Sequence, residues 1–271
     1  MRRATQSLLC AVIYSILLVA VMGPIQWLVV QPLCALRPTR RARIARRWLR
    51  LNAHLVLGSA RLLGGLKLRI RGSLPATSCV VLMNHQSLLD IPIGVSLIRG
   101  PCPVIPTRDR YTRGVPVISG MARLSGFPSL KQQERATRAE HQAMVRSAEA
   151  VGRGDRSLLI FPEGHRSRDG EILPFMTSGL RLMFRHASQR PLYLVVAEGM
   201  WRLRSLSDIV LRLAGSQVLV EVLGPYQIPA DPGEQPAFAQ SLHDVMVATL
   251  ERMRASGPAT APDASAARLA G

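Results

Sequence analysis

The stretch that decides the fold runs from Thr77 to Ile98, "TSCVVLMNHQSLLDIPIGVSLI". Its first seven residues read as a buried strand, and its last eight are again apolar enough to be buried. Between them stands "NHQSLLD", Asn84 to Asp90, a polar interruption. A strand that feeds a short polar turn holds side chains at the mouth of a cleft, where rigid scaffolds carry their chemistry. His85 and Asp90 are five residues apart, and on one regular helix five steps of about 100° separate two side chains by about 140°. They meet only if His85 sits in the loop after the strand and Asp90 in the first helical turn, where the helix dipole also favours a carboxylate. Asp90 would then hold one ring nitrogen and leave the other to take a proton from a nucleophile, the dyad arrangement of acyl transfer.

Working outward, "LKLRIRG", Leu66 to Gly72, alternates as a strand ahead of this unit, joined to it through the turn residues of "GSLPAT". Beyond it, Gln132 to Arg153 reads as a helix with a polar face, "RSLLIFP" as a strand and Ser178 to Ala187 as a helix. "PLYLVVA" and "SQVLVEVLG" follow as strands, and Phe238 to Ala255 as a last helix. That succession predicts an α/β fold, a mixed sheet flanked by helices. From Ser256 onward the Ala/Pro/Ser/Gly bias predicts a disordered tail. The expected organisation is a membrane segment over 1–36, a basic helix over 37–65, a globular domain over 66–255 and the tail over 256–271. No repeat of fixed period appears, which excludes a solenoid.

The first segment is expected in a bilayer. Leu8 to Leu36 contains no Asp, Glu, Lys or Arg, and Leu8 to Val30 would make a helix of about 34 Å against a hydrocarbon core of about 30 Å. Pro24 interrupts the helical hydrogen-bond ladder near its middle, so a helical hairpin stands beside the single span. No small-x-small cleavage site follows, so the segment is expected to stay attached. "RPTRRARIARRWLR", Arg37 to Arg50, then packs seven arginines beside it, which predicts a cytoplasmic body. Ile44, Trp48 and Leu51 at helical spacing predict an interfacial helix.

The net charge of +18 points to a polyanionic partner, whether nucleic acid, anionic lipid or phosphorylated substrate. Nucleic acid ranks last, because only 4% of residues are aromatic and no zinc-finger or RNA-recognition signature appears. Cys10, Cys34, Cys79 and Cys102 lie in apolar surroundings with no Cys-x-x-Cys pair, which signals neither a metal site nor a disulfide framework and fits a reducing compartment.

A second polar turn stands at "FPEGHRSRDG", Phe161 to Gly170, again after a strand. Gly164 would let backbone N–H groups approach a ligand, Arg166 would grip a phosphate, and Glu163 would orient that arginine or a substrate hydroxyl. His165 and Asp169 make a rival pair without a third orienting group. Two polar turns at strand ends in one α/β domain argue for a site.

"NHQSLLD" followed some seventy residues later by "FPEGHRS" resembles the glycerolipid acyltransferase family that includes the 1-acylglycerol-3-phosphate acyltransferases. The resemblance runs from about Arg71 to Pro229, and the apolar N-terminus suits that family's membrane-associated bacterial members. It implies transfer of an acyl chain from acyl-CoA or acyl carrier protein, a substrate rather than a cofactor, to the hydroxyl of a lysophospholipid. The implied product is phosphatidic acid, and the implied place the cytoplasmic face of the bacterial inner membrane. His85 matches the family's general base, Asp90 its orienting acid, and Glu163, Gly164 and Arg166 its acceptor-binding block. Backbone donors near Gly164 are the implied oxyanion stabilisers. Where the family carries an arginine some five residues after a glycine, this chain has Gly126 and then Lys131, a point charge without the planar fork. His165 replaces the usual threonine, "PFMTSG" lacks the usual lysine, and the Pro-rich fourth block is reduced to "RPLYLVV". These departures bear on the acceptor and keep lyso-aminolipids such as lyso-ornithine lipid in view. A hydrolase using the dyad on water and a non-catalytic protein binding anionic lipid are the readings from other classes.

Overall fold

A computed structural model describes residues 2–131 and 137–256. The tail expected after Ser256, and the first turn of the helix expected from Gln132, fall on residues 257–271 and 132–136, outside the described residues. In chain order the strands are β1 Lys67–Arg71, β2 Val80–Met83, β3 Pro103–Val104, β4 Thr107–Arg108, β5 Ser129–Leu130, β6 Ser157–Ile160, β7 Leu192–Glu198 and β8 Gln217–Tyr226. Six of them form one mixed sheet in the order β1-β8-β7-β2-β6-β3, and β4 and β5 form a separate two-stranded ribbon. Only β7 and β8 run antiparallel within the sheet.

The helices are α1 Arg2–Ile16, α2 Gly23–Ile25, α3 Gln31–Leu36, α4 Arg41–Leu62, α5 Asp90–Leu97, α6 Ile118–Ser125, α7 Arg138–Gly152, α8 Thr177–Ala187, α9 Leu206–Arg212 and α10 Gln235–Ala255. They cover both faces of the sheet, which explains the unbroken apolar run of β2. Val81 and Met83 join Leu49, Leu57 and Ile93 of α4 and α5 on one face. Val80 and Leu82 join Met144, Phe184 and Met246 of α7, α8 and α10 on the other. Alternate side chains of a strand point to opposite faces, so a strand covered on both must be apolar throughout. α7 starts at Arg138 because Thr137 and Glu140 form a capping box there.

Of the two arrangements expected for the N-terminal segment, the single helix forms, unbroken at Pro24. Helix continues through it from Arg2 to Leu36, with wide π-helical turns over Leu17–Met22 and Gln26–Val30. These turns contain Ala20 and Leu28, the residues four before Pro24 and Pro32, whose carbonyls a proline ring would strike in a regular helix. The chain reverses at Arg37–Arg40 instead, and α4 returns antiparallel. Gln6 Nε2 donates to Leu63 O at 2.9 Å, Cys10 Sγ to Ser59 O at 3.4 Å, and Trp48 Nε1 to Gln26 Oε1 at 2.7 Å. The helix over Thr5–Leu36 is long and apolar enough to cross a membrane by length and composition. Both ends, however, touch the same domain: Ala214 N donates to Ser7 Oγ at 2.8 Å, while Met22, Val30 and Cys34 pack with Val117. Helix and basic arm therefore form a hairpin lying along the domain. Trp48, expected at a lipid interface, is 5% exposed and packs within this hairpin.

Candidate active site

The carboxyl-terminal ends of β2 and β6 point the same way because the two strands are parallel, Val80 opposite Leu158. The two polar turns of the sequence therefore meet at one edge, where ligands bind in open α/β sheets. His85 Nδ1 lies 2.9 Å from Asp90 Oδ2, with His85 in the loop and Asp90 opening α5. The same carboxylate oxygen accepts from the backbone N–H groups of Gln86 and Ser87, each at 2.6 Å. Asp90 is fully buried, and these donors supply to Oδ2 what solvent would otherwise give, while Oδ1 has no partner among the described residues. The imidazole stacks on Phe161, ring centroids 4.2 Å apart. The backbone carbonyl of His85 accepts from Ser167 N at 2.8 Å.

The other polar residues of the turn are structural. Asn84 exchanges two hydrogen bonds with the backbone of Ala197, at 2.9 and 2.7 Å, which pins the end of β7. Gln86 donates to Gly170 O at 3.0 Å and accepts from Met200 N at 3.1 Å. Ser87 Oγ donates to Leu203 O at 2.5 Å. Each is an anchor of the loop that carries His85, and each is buried.

One expected role on the second turn, Glu163 orienting Arg166, is corrected. Glu163 is 2% exposed. Its two oxygens accept from backbone N–H groups, Oε1 from His85 at 2.7 Å and Oε2 from Leu173 at 2.9 Å. Among the described residues it does not hold Arg166, which donates to Arg204 O instead; it ties the second turn to the first. Burial pushes its carboxyl up to about 7, with Asp90 nearby adding to the rise and the two backbone donors opposing it. Gly164 suits its position because its φ is positive, 72°, a conformation other side chains rarely adopt. Its own N–H donates to Phe161 O at 3.1 Å. His165 and Asp169 also do not pair: Asp169 Oδ1 accepts from Ser167 Oγ at 2.9 Å and Glu171 N at 3.1 Å, closing its own turn.

Arg166 is half-buried and donates to Arg204 O. Burial pushes its pKa down, Tyr111 and Asp90 pull against that, and Arg204 and Arg110 add to it, so all four lie within electrostatic reach of its guanidinium. Lys131 is exposed just past β5, its N–H donating to Glu140 Oε1 at 2.5 Å. The ribbon sets Leu130 opposite Arg108, and Arg108 Nη2 donates to Gly164 O at 3.0 Å. One chain of contacts thus links Lys131, Arg108 and the second turn. Sequence reading missed Arg108, Arg110 and Arg204. The run "TRDRYTRG" was the available signal for the first two. Arg254 was also missed: from the last turn of α10 it donates to Gly170 O at 3.0 Å and pairs with Glu171 and Glu198.

The arrangement offers a base whose orientation is set from behind, with arginines beside it. Among the described residues no three His, Cys, Asp or Glu side chains gather into a metal-binding group. Residues 66–197 match the family model described as Acyltransferase. Human 1-acyl-sn-glycerol-3-phosphate acyltransferase alpha is 26% identical over 214 residues, 75% of this chain and 70% of that protein. The chloroplastic 1-acyl-sn-glycerol-3-phosphate acyltransferase BAT2 of Brassica napus is 35% identical over 99 residues, 36% of this chain and 27% of that one. The crystal structure of the 1-acyl-sn-glycerophosphate (LPA) acyltransferase PlsC from Thermotoga maritima shares the fold. Its TM-score is 0.66 at 19% identity, over 94% of this chain and 97% of that one.

Proposed function

Because this chain belongs to the glycerolipid acyltransferase family and is an O-acyltransferase, we propose that it acylates a lysophospholipid, with 1-acylglycerol-3-phosphate as acceptor and phosphatidic acid as product. The donor is a thioester, acyl-CoA or acyl carrier protein. The observation that carries this reading is the 2.9 Å contact between His85 Nδ1 and Asp90 Oδ2. With Nδ1 engaged, Nε2 is the nitrogen that takes a proton.

The acceptor hydroxyl gives its proton to His85 Nε2 as its oxygen attacks the thioester carbonyl. Asp90 stabilises the imidazolium so formed. The tetrahedral adduct collapses, the carbon–sulfur bond breaks, and the imidazolium returns the proton to the departing thiolate. No acyl-enzyme is formed. Arg166 and Lys131 are the proposed partners of the acceptor phosphate, and the arginines near Arg166 strengthen that side electrostatically.

The exposed apolar residues of the N-terminal helix, among them Trp27, Leu28 and Leu36 at 65%, 76% and 80%, support attachment to a membrane surface, where lyso-lipid and product reside. The arginines of residues 37–50 support the cytoplasmic face of a bacterial inner membrane. A reporter fused after Gly72 that is active only in the periplasm would reverse that placement.

Mass spectrometry of products made by purified protein from acyl-CoA and a panel of lyso-lipids tests the reading. Lysophosphatidate should be the preferred acceptor. Preference for a lyso-aminolipid would overturn the acceptor, and fatty acid released without any acceptor would make the protein a hydrolase.

A further inference from the structure

A cavity of about 480 Å³ opens at the opposite end of α5 from the dyad, between α4, β1 and the turn after β1. α5 begins at Asp90 and ends at Leu97, so at 1.5 Å per residue roughly 12 Å of helix separates this cavity from the catalytic turn. Its floor is apolar, made by Leu57, Leu68, Leu74 and Leu97. Its polar rim is basic: His54, Arg61 and Arg99 line it, and no Asp or Glu does.

The charge continues along α4. Arg46, Arg50, His54 and Arg61 are spaced four, four and seven residues apart, which on a helix keeps them within an arc of about 80°. Burial, then Arg46, then Arg99 push the Arg50 pKa down, so the two arms of the rim feel one another. Among the described residues, none of Arg46, Arg50, Arg61 and Arg99 belongs to an ion pair. Like charges gathered beside an apolar hollow without a counter-ion raise the affinity for an anion that also carries hydrocarbon.

We propose that this cavity binds the headgroup of an anionic phospholipid, with the phosphodiester against Arg61, Arg99 and His54 and the first carbons of the lipid on the leucine floor. The site goes beyond acyl transfer, since its ligand is neither donor nor acceptor. The lipid, rather than free phosphate, is favoured by the floor and by the position of α4, which is one arm of the hairpin whose other arm exposes apolar residues. Gly58 lines the cavity, and a Cβ there would meet nothing within 4 Å, so the floor has room for carbon.

The full-length protein in neutral detergent is titrated calorimetrically with dihexanoyl phosphatidylglycerol, dihexanoyl phosphatidylcholine and inorganic phosphate. Phosphatidylglycerol should bind saturably, and the other two at least ten-fold more weakly. Arg61→Gln with Arg99→Gln should weaken phosphatidylglycerol binding at least ten-fold. Gly58→Leu, which fills the floor without changing charge and suits a helix, should do the same while leaving acyl transfer within two-fold. Arg181→Gln with Arg185→Gln removes the same charge from exposed positions on α8, across the sheet, and should change binding less than two-fold.

Equal losses in the two double variants would reduce the effect to diffuse charge and overturn the site. Phosphate binding as tightly as phosphatidylglycerol would overturn the lipid assignment. Parallel loss of acyl transfer and lipid binding in Gly58→Leu would merge the cavity with the acceptor site, and unchanged phosphatidylglycerol binding in Gly58→Leu and the rim variant would remove it altogether.

Discussion

The turn that carries the dyad and the loops that carry the cations sit at the same edge of the sheet and are built in opposite ways. In the first, Asn84, Gln86, Ser87 and Asp90 are at most 1% exposed, and each is hydrogen-bonded to backbone. In the second, Lys131 is exposed and Arg110 lies over the ring of its neighbour Tyr111. The difference follows from what each must do. A base works only when one ring nitrogen faces the reacting hydroxyl, so its surroundings are rigid and over-determined. A cation that meets a phosphate needs charge and access, and burying it in ion pairs would cancel both.

The comparison breaks most visibly at His85. His85→Ala should lower acyl transfer about 100-fold to 10,000-fold, the usual range for a lost general base, with folding unchanged. Activity within a few-fold of wild type on equally folded protein would falsify the dyad. Asp90→Asn should cost less, because the imidazole remains as a base while its orientation and charge partner are spoiled.

Glu163 sharpens the contrast through pH. Its carboxyl rises from the ordinary 4.5 to about 7 in the folded chain. Between those values the folded state holds a proton that the unfolded state has released. The contribution is therefore full below about pH 4.5 and declines as pH rises to about 7, by of order 3 kcal/mol, then stays flat. Denaturant unfolding of wild type and Glu163→Gln across this window checks it. The variant should lack the decline, and it should carry a constant penalty because its amide nitrogen cannot accept from a backbone N–H. Parallel curves would mean that Glu163 is not buried as described.

Asn84→Ala should destabilise by about 1–3 kcal/mol, since it leaves the Ala197 N–H and C=O buried without partners. Chemical denaturation measures this directly, and a loss below about 0.5 kcal/mol would show that the turn is less rigid than its bonds imply. The smallest effects belong to the open side. Lys131→Ala should reduce kcat/KM for a phosphate-bearing acceptor roughly ten-fold, with little change in KM for the acyl donor. Lys131→Arg should leave acceptor KM unchanged or lower, because charge is kept and a fork gained. Equal losses on acceptors with and without phosphate would return Lys131 to the role of a surface residue beside Glu140.

Legibility in the sequence followed the range of the interactions. β1, β2 and β6 lie within the strands expected from alternation and apolar runs, β7 and β8 run one and two residues past theirs, and α8 and α10 begin one and three residues before their expected starts. The two-residue strands β3, β4 and β5 have no periodicity to show, because they exist only through partners distant in sequence. Gly126, expected as a motif glycine, is also the left-handed cap that ends α6, with φ of 65°. Pro24 left a break open in the sequence because its ring's clash is visible there, whereas the wider turn that relieves it is not.

By itself the sequence determined the α/β class, the two polar turns and the pairing of His85 with Asp90, because each rests on residues within one strand, turn or helix. Only the tertiary structure decided that Glu163 faces inward, that Arg110 and Arg204 come within electrostatic reach of Arg166 while Arg108 meets Gly164 O, and that the apolar helix lies along the domain. Those outcomes depend on which segments the parallel sheet brings to one edge. A carboxylate's role is set by the donors that reach it, and here both come from backbone ten or more residues away.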